Sequence, residues 1–528
     1  MNNDEIIKFR QDNGISNNNN KISRNQENFN YFIIVKYIIL IIVLIYICDI
    51  HLNKINQVIK YKDKDEEKDN LDFIDKNINI NIDNYQIKEQ NNRKENCDEI
   101  DPINLFEKRL KNGPTNICIG KNTKHICYSN FNNYYNEIFA HRNGVICLME
   151  NIILDPSKSE QSGFSYKGPV DYMYLGFPIL KNGFLNTKCK IRNKFKNYND
   201  IYNSYFKSWN YNYTPKENLE ELAPNKTILF ISRNQDSPNL FHGNCEIINV
   251  ISIMNLFNLV PDEIQIIFLE SIEIKQDPFY DLYKNMISKG TEPIYIKNLE
   301  KKYKISKAIH VPINWDSPAY LNLDIPKCKN PTKTYKLYND FVNKYLNIRN
   351  FFDLFKSTRD VFYYPQIIID KHKSNINFTK KITIQWRRVW PKGRKGQFRI
   401  LGNGRQLADR LASKIPKNKN FLVRLVDTGK LTMKEQISII KDTDYFVGIH
   451  GAGLSLAIFL PKESIFHEVL HTENIKVLAV MSAMSGHITY SDIIKADIKI
   501  ISENEYIFFN EIEFVKSVLN HMGQNNYF

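Results

Sequence analysis

From Lys226 onward, short apolar runs alternate with stretches whose apolar residues recur at helical spacing, and this alternation limits the chain to few folds. Runs of this kind, too apolar to face water on either side, belong in a parallel sheet, and parallel neighbours need a crossover helix between them. The pattern predicts strands at 226–232 and 263–269, helices at 246–259 and 278–288, short strands at 293–296 and 308–312, and a helix at 335–346. A polar, Lys-rich stretch around 366–380 separates these from a second series. That series runs strand 381–386, helix 405–415, strand 421–426, helix 433–441, strand 445–449, helix 454–460, strand 464–469 and helix 475–484. The expected class is α/β: two doubly wound halves with a ligand crevice at the carboxyl ends of their strands. A chain of 528 residues with 32 Phe and 30 Tyr has the length and the apolar surface for two cores.

Upstream, Tyr31 to Cys48 is apolar except for Lys36, which can extend to the nearer interface, and the run is long enough to span a bilayer. Cys48-Asp49-Ile50-His51 offers no small-residue cleavage site, which favours a retained signal anchor over 31–50 against a removed signal peptide. Residues 1–30 are polar and Asn-rich and read as a cytosolic tail, and 51–95 as a disordered stem. Folding is expected to begin near Cys97, with a first domain over 96–365 and a second over 366–528. Lysines flank both ends of the span, so charge alone does not orient it.

Two further features bear on orientation. Asn212-Tyr-Thr214, Asn225-Lys-Thr227 and Asn377-Phe-Thr379 are glycosylation acceptors if the folded part is luminal. The seven cysteines beyond the anchor, at 97, 118, 127, 147, 189, 245 and 328, suggest up to three disulfides with one thiol left over, the alternative being buried reduced thiols. No Cys-x-x-Cys zinc spacing occurs. The net charge of +14 is spread among acids with no Arg-rich arm, which argues against nucleic acid and for a basic pocket that takes an anion.

The most specific chemistry is in Asp444-Tyr-Phe-Val-Gly-Ile-His450-Gly451-Ala452-Gly453-Leu454, a strand running into a glycine turn and a helix. Such a turn admits close backbone approach by a phosphate at a helix start, although glycine can also serve packing alone. Arg387 and Arg388 close an earlier strand, and Lys392-Gly-Arg394-Lys395-Gly-Gln-Phe-Arg399 follows. Parallel strands would bring these arginines, His450 and Glu468 to one edge. Arginine grips phosphate with paired donors, and a carboxylate accepts from a ribose diol, so a nucleotide diphosphate site is expected there. In the first half, His242 and Glu246 in Asn239-Leu-Phe-His242-Gly-Asn-Cys-Glu246 share a face at a helix start. Facing the crevice, the pair could take a proton from an acceptor hydroxyl; otherwise it is a helix-surface pair. Asp442-Thr-Asp444 lies before a strand rather than after one and reads as a helix-ending turn, not a metal site.

These motifs are familiar together. Residues 435–461 with Ile465-Phe-His-Glu468 resemble the signature of glycosyltransferase family 61, as do Ile382-Thr-Ile-Gln-Trp-Arg387 with Arg399-Ile-Leu-Gly-Asn403, and Asn239-Leu-Phe-His242 with Glu246. The resemblance spans about residues 226–495. It implies a GT-B arrangement and an inverting transferase that moves a sugar such as xylose or N-acetylglucosamine from a UDP-sugar to a glycoprotein glycan or protein acceptor. It also implies that Arg387, Arg399, His450, Gly451, Ala452, Gly453 and Glu468 hold the UDP moiety and that His242 or Glu246 lies near the acceptor. No resident cofactor and no metal are implied. Within the family, the anchor plus Asn-Leu-Phe-His is most similar to the plant-type core β-1,2-xylosyltransferases. The EGF-domain-specific N-acetylglucosamine transferases usually carry a C-terminal retention tetrapeptide where this chain reads Gln524-Asn-Asn-Tyr-Phe528. The expected setting is the Golgi or endoplasmic reticulum membrane, single-pass, with the large domain luminal. A catalytically silent nucleotide-sugar or glycan-binding relative is the alternative. The sequence leaves the oligomeric state open.

Overall fold

The computed structural model describes residues 97–527 except 115, 121, 129–144, 162–177, 192–204, 206, 215–217, 234–238, 271–276, 313–316, 320–324, 347–360, 365–379, 388–398, 417–419, 472–475 and 502–503. The predicted anchor at 31–50, tail and stem lie outside the described residues. Among those described, no helix is long and apolar enough to cross a membrane.

The first half contains helix α1 (Pro102–Lys111), strands β1 (Asn116–Ile119), β2 (Lys124–Tyr128), β3 (Ile146–Leu154) and β4 (Thr227–Ile231), then helix α2 (Leu240–Leu256). Strands β5 (Ile264–Phe268), β6 (Ile294–Tyr295) and β7 (Tyr303–His310) and helix α3 (Lys333–Tyr345) complete it. Its ten-stranded sheet runs β6-β5-β4-β7-β3-β2-β1 along its main path, with short strands beyond. The strands from β6 to β7 are parallel, as expected. The rest corrects the expectation of a purely parallel layer, because the cysteine-rich segment adds an antiparallel wing on β7. Disulfides Cys118–Cys189 and Cys127–Cys147 pin this wing, Cys97–Cys328 ties the start of the described chain to the segment before α3, and Cys245 is the buried free thiol. Three bridges and one leftover cysteine agree with the count expected from sequence.

The second half contains β8 (Val361–Tyr364), β9 (Lys380–Gln385), β10 (Arg399–Leu401), α4 (Gly404–Lys414), β11 (Phe421–Val426), α5 (Met433–Lys441) and β12 (Tyr445–Ile449). After the 3₁₀ segment Ala452–Phe459 come β13 (Ile465–Leu470), α6 (Val477–Met484), β14 (Ile488–Ile493), β15 (Ala496–Ile501), β16 (Asn504–Phe509) and α7 (Glu511–Gln524). The six-stranded sheet has the order β8-β11-β9-β12-β13-β14, parallel apart from β8. Strand β8 falls in the stretch assigned by sequence to the first domain, but it pairs with the second sheet. The chain leaves β9 to one side for β11 and returns to the other for β12. The topological switch point therefore lies between the carboxyl ends of β9 and β12, where open α/β sheets bind ligands.

A single hydrophobic core joins the halves. It includes Ile247, Ile251 and Met254 of α2, Tyr338 and Val342 of α3, and Ile437, Phe446, Leu454, Phe459, Phe466 and Val480 from the second half. Helix α2 is buried almost all round because it lies between layers rather than on a surface. Polar pairs fix the register of this packing. Tyr338 donates to Asn244 Oδ1 at 2.9 Å, Asn244 Nδ2 donates to Ser455 Oγ at 2.9 Å, and Asn339 Nδ2 donates to the Ile458 carbonyl at 2.8 Å.

Candidate active site

At the switch point, His450 and Gly451 follow β12, and the chain turns into the 3₁₀ segment at Ala452. The segment is a 3₁₀ helix rather than the predicted α-helix, and the Leu454 N–H bonds back to the Gly451 carbonyl at 2.9 Å. The glycines have a direct steric cause. A Cβ on Gly451 would stand 1.7 Å from Arg387 Nη1, and one on Gly453 would stand 2.1 Å from Gln385 Nε2. The space that glycine leaves is therefore taken by side chains from the end of β9. Arg387 donates to the His450 carbonyl at 2.6 Å, which sets a guanidinium directly against the turn. Gln385, which sequence reasoning missed, bonds Thr428 at 3.1 Å, beyond the end of β11. Its signal was positional: a polar residue closing an apolar strand at its carboxyl end.

His450 Nδ1 meets Glu468 Oε1 at 2.5 Å. The His450 side chain is 18% exposed and that of Glu468 is 0% exposed. The other carboxylate oxygen, Oε2, is buried with no hydrogen-bond partner among the described residues. An ionised carboxylate has capacity for several donors, and Glu468 Oε2 shares its lack of a partner with Glu246 Oε1 and Glu270 Oε2 among the described residues. Arg399 begins β10, whose Leu401 N–H bonds the Arg387 carbonyl at 2.9 Å, so β10 folds back on the end of β9. The Asn403 amide donates to the Phe509 carbonyl at 2.8 Å. His471, directly after β13, was also missed. Burial first, then the charge of Arg399, pushes its imidazole down, with His450 acting in the same direction and Glu505 against, so these groups share one electrostatic neighbourhood.

The first-half pair separates. Asn239 caps α2 by accepting from the Phe241 and His242 N–H groups at 3.0 and 3.4 Å, so the helix begins six residues before the predicted Glu246 start. His242 is partly exposed, but Glu246 is 1% exposed. Glu246 therefore does not face a crevice alongside His242, which corrects that expectation: one turn along a helix that enters the core, the residue is covered. Beside it, Arg233 pairs with Glu270 and Asp277, donates to the Tyr295 hydroxyl at 3.2 Å, and lies over the Phe268 ring at 3.6 Å. Burial raises the Glu246 carboxyl well above its ordinary range, Arg233 opposes that, and Glu270 and Asp277 add to it.

Asp442-Thr-Asp444 is a helix-ending turn, as expected. Asp442 is held by Arg424 and Lys381, and Asp444 by Lys380 and the Lys381 N–H, at the amino end of the sheet and away from the switch point.

Residues 293–466 match the family model of Glycosyltransferase 61. The match, spanning about a third of the chain, supports membership of glycosyltransferase family 61. No curated protein matches it. The matched stretch contains Arg387, Arg399, His450, Gly451, Ala452 and Gly453, and stops short of Glu468, while His242 and Glu246 precede it. The match supports a glycosyltransferase, an activity that implies a nucleotide-sugar donor and an acceptor.

Proposed function

We propose that this glycosyltransferase is an inverting, UDP-sugar-dependent enzyme that transfers xylose or N-acetylglucosamine to a glycoprotein glycan or protein acceptor. Its two sheets correspond to the halves of a GT-B arrangement. The uridine diphosphate occupies the switch point of the second sheet, with Arg387 and Arg399 on the phosphates, the Gly451-Ala452-Gly453 turn beside them, and the partly open His450, held by Glu468, toward the ribose. The observation that carries this reading is the Asn244–Ser455 hydrogen bond, since it joins the start of α2, with His242, to the helical turn that follows the glycines. Donor and acceptor sides are thereby adjacent.

In a single displacement the acceptor oxygen attacks the anomeric carbon and the bond to the β-phosphate oxygen breaks, which inverts the anomeric centre. His242, which is partly exposed, takes the hydroxyl proton. The arginines stabilise charge on the departing UDP, so the step requires no metal. Three disulfides suit an oxidising compartment, and the acceptors Asn212 and Asn225 are exposed, both in keeping with a Golgi or endoplasmic reticulum protein held as a single-pass type II membrane protein by its anchor. One observation favours a second reading, a silent nucleotide-sugar-binding relative: the burial of Glu246, which removes one of the two candidate bases from contact with solvent.

The test is a donor screen of the full chain with UDP-xylose and UDP-N-acetylglucosamine, following UDP release and thermal stability with and without chelator. One donor at a hundredfold excess over its Kd is expected to raise Tm by roughly 3–6 °C, to keep that increment in chelator, and to be turned over with acceptor. Binding without turnover supports the silent relative, and no response to either sugar nucleotide rejects both readings.

A further inference from the structure

On the far face of the second sheet, His467 of β13, Asp492 of β14 and His521 of α7 converge. We propose that these three residues form a structural zinc site that fastens the C-terminal helix to the sheet. His467 Nε2 lies 3.2 Å and His521 Nε2 2.7 Å from Asp492 Oδ2, and the three potential ligand atoms all lie within 4.8 Å of one another. Tetrahedral zinc with bonds of about 2.0–2.1 Å sets its ligands roughly 3.3 Å apart, so an ion fits with only small side-chain adjustment. Two imidazoles and a carboxylate are a donor set that suits zinc.

The surroundings are those of a metal site. The hydroxyl of Tyr445 meets His467 Nδ1 at 3.0 Å, the outer contact that fixes a ligating histidine's tautomer and turns its Nε2 toward the ion. The Tyr490 ring stacks on His521 at 3.6 Å and 14°, and the Ser517 hydroxyl donates to Asp492. His467 is fully buried, whereas the Asp492 side chain is 31% exposed and that of His521 13%, which gives an entry path and room for water as a fourth ligand. His467 and Glu468 are consecutive on β13 and point to opposite faces, so the site is separate from the switch point and plays no part in sugar transfer.

The test uses the full chain stripped with chelator. Zinc chloride titrated by calorimetry is expected to bind with one-to-one stoichiometry and restore the Tm lost on stripping, and cobalt(II) should give the visible absorption of a four-coordinate ion. His521→Gln should weaken zinc binding by at least tenfold. Tyr445→Phe, which removes only a hydroxyl, should weaken it by about 10–100-fold without unfolding the chain. A wild-type chain that takes up neither ion would overturn the proposal and leave Asp492 as the acceptor of two imidazole N–H groups. Unchanged affinity in Tyr445→Phe or in a folded His521→Gln would overturn it as well.

Discussion

Both halves of the molecule place charged residues at the carboxyl ends of parallel strands, and they use them in opposite ways. In the first half, Arg233 follows β4 and Glu270 follows β5, and with Asp277 they make a closed group whose arginine is covered by Phe268. In the second half, Arg387 rests on a backbone carbonyl, His450 is partly open, and Glu468 keeps an unfilled oxygen. A charge that already has its counter-ion and is dry contributes to specifying the fold. Strand-end position alone therefore does not mark a site: the first edge is closed over its charges, whereas at the second His450 is partly open.

Four changes would break or sharpen that contrast. The largest effect is expected from Arg233→Met, which leaves Glu270 and Asp277 buried without their cation; urea unfolding should show a loss of about 3–5 kcal/mol, with UDP affinity retained in the folded fraction. Glu468→Gln should do the reverse. Removing the charge opposite His450 is worth about 1.5–3 kcal/mol, so steady-state kinetics should give a roughly 10–100-fold lower kcat/KM with little change in Tm. Gly451→Ala pushes Arg387 off the His450 carbonyl, and UDP titrations should register a roughly five- to tenfold weaker Kd.

The smallest effect concerns Glu246. Its folded carboxyl is raised above the ordinary 4.5 by burial, so the folded chain holds a proton that the unfolded chain has released. Stability therefore falls as pH rises from that value toward the folded one. Denaturation of Glu246→Gln across pH should lack this slope, and the variant should gain on the wild type as pH increases; parallel curves would show that Glu246 is ionised in the folded state.

The centre of the second half was legible because β11, β12 and β13 are buried along their length and α4 and α5 carry an apolar stripe. The predicted bounds of β11, α5 and β12 coincide with those observed. The antiparallel wing was not legible, because β2 alternates half-buried and buried residues over only five positions and its pairing depends on distant cysteines. The strands β14 and β15 were missed for a related reason, since they are half-exposed or exposed along their length and resemble loop in composition. At the site, His450, the glycines and Arg387 could be read from type and spacing. Gln385 and His471 could not, since each is an isolated polar residue at a strand end. The burial of Glu246 escaped notice because sequence spacing gives a shared helix face but not what covers it.

The central claim, that the switch point of the second sheet holds the donor's diphosphate, is tested most directly by calorimetric titration of UDP into the wild type, Arg387→Ala and Arg233→Met. The account predicts that the wild type binds, that Arg387→Ala weakens binding by tenfold or more, and that folded Arg233→Met leaves it unchanged. No binding by the wild type, or equal affinity in Arg387→Ala, would contradict it.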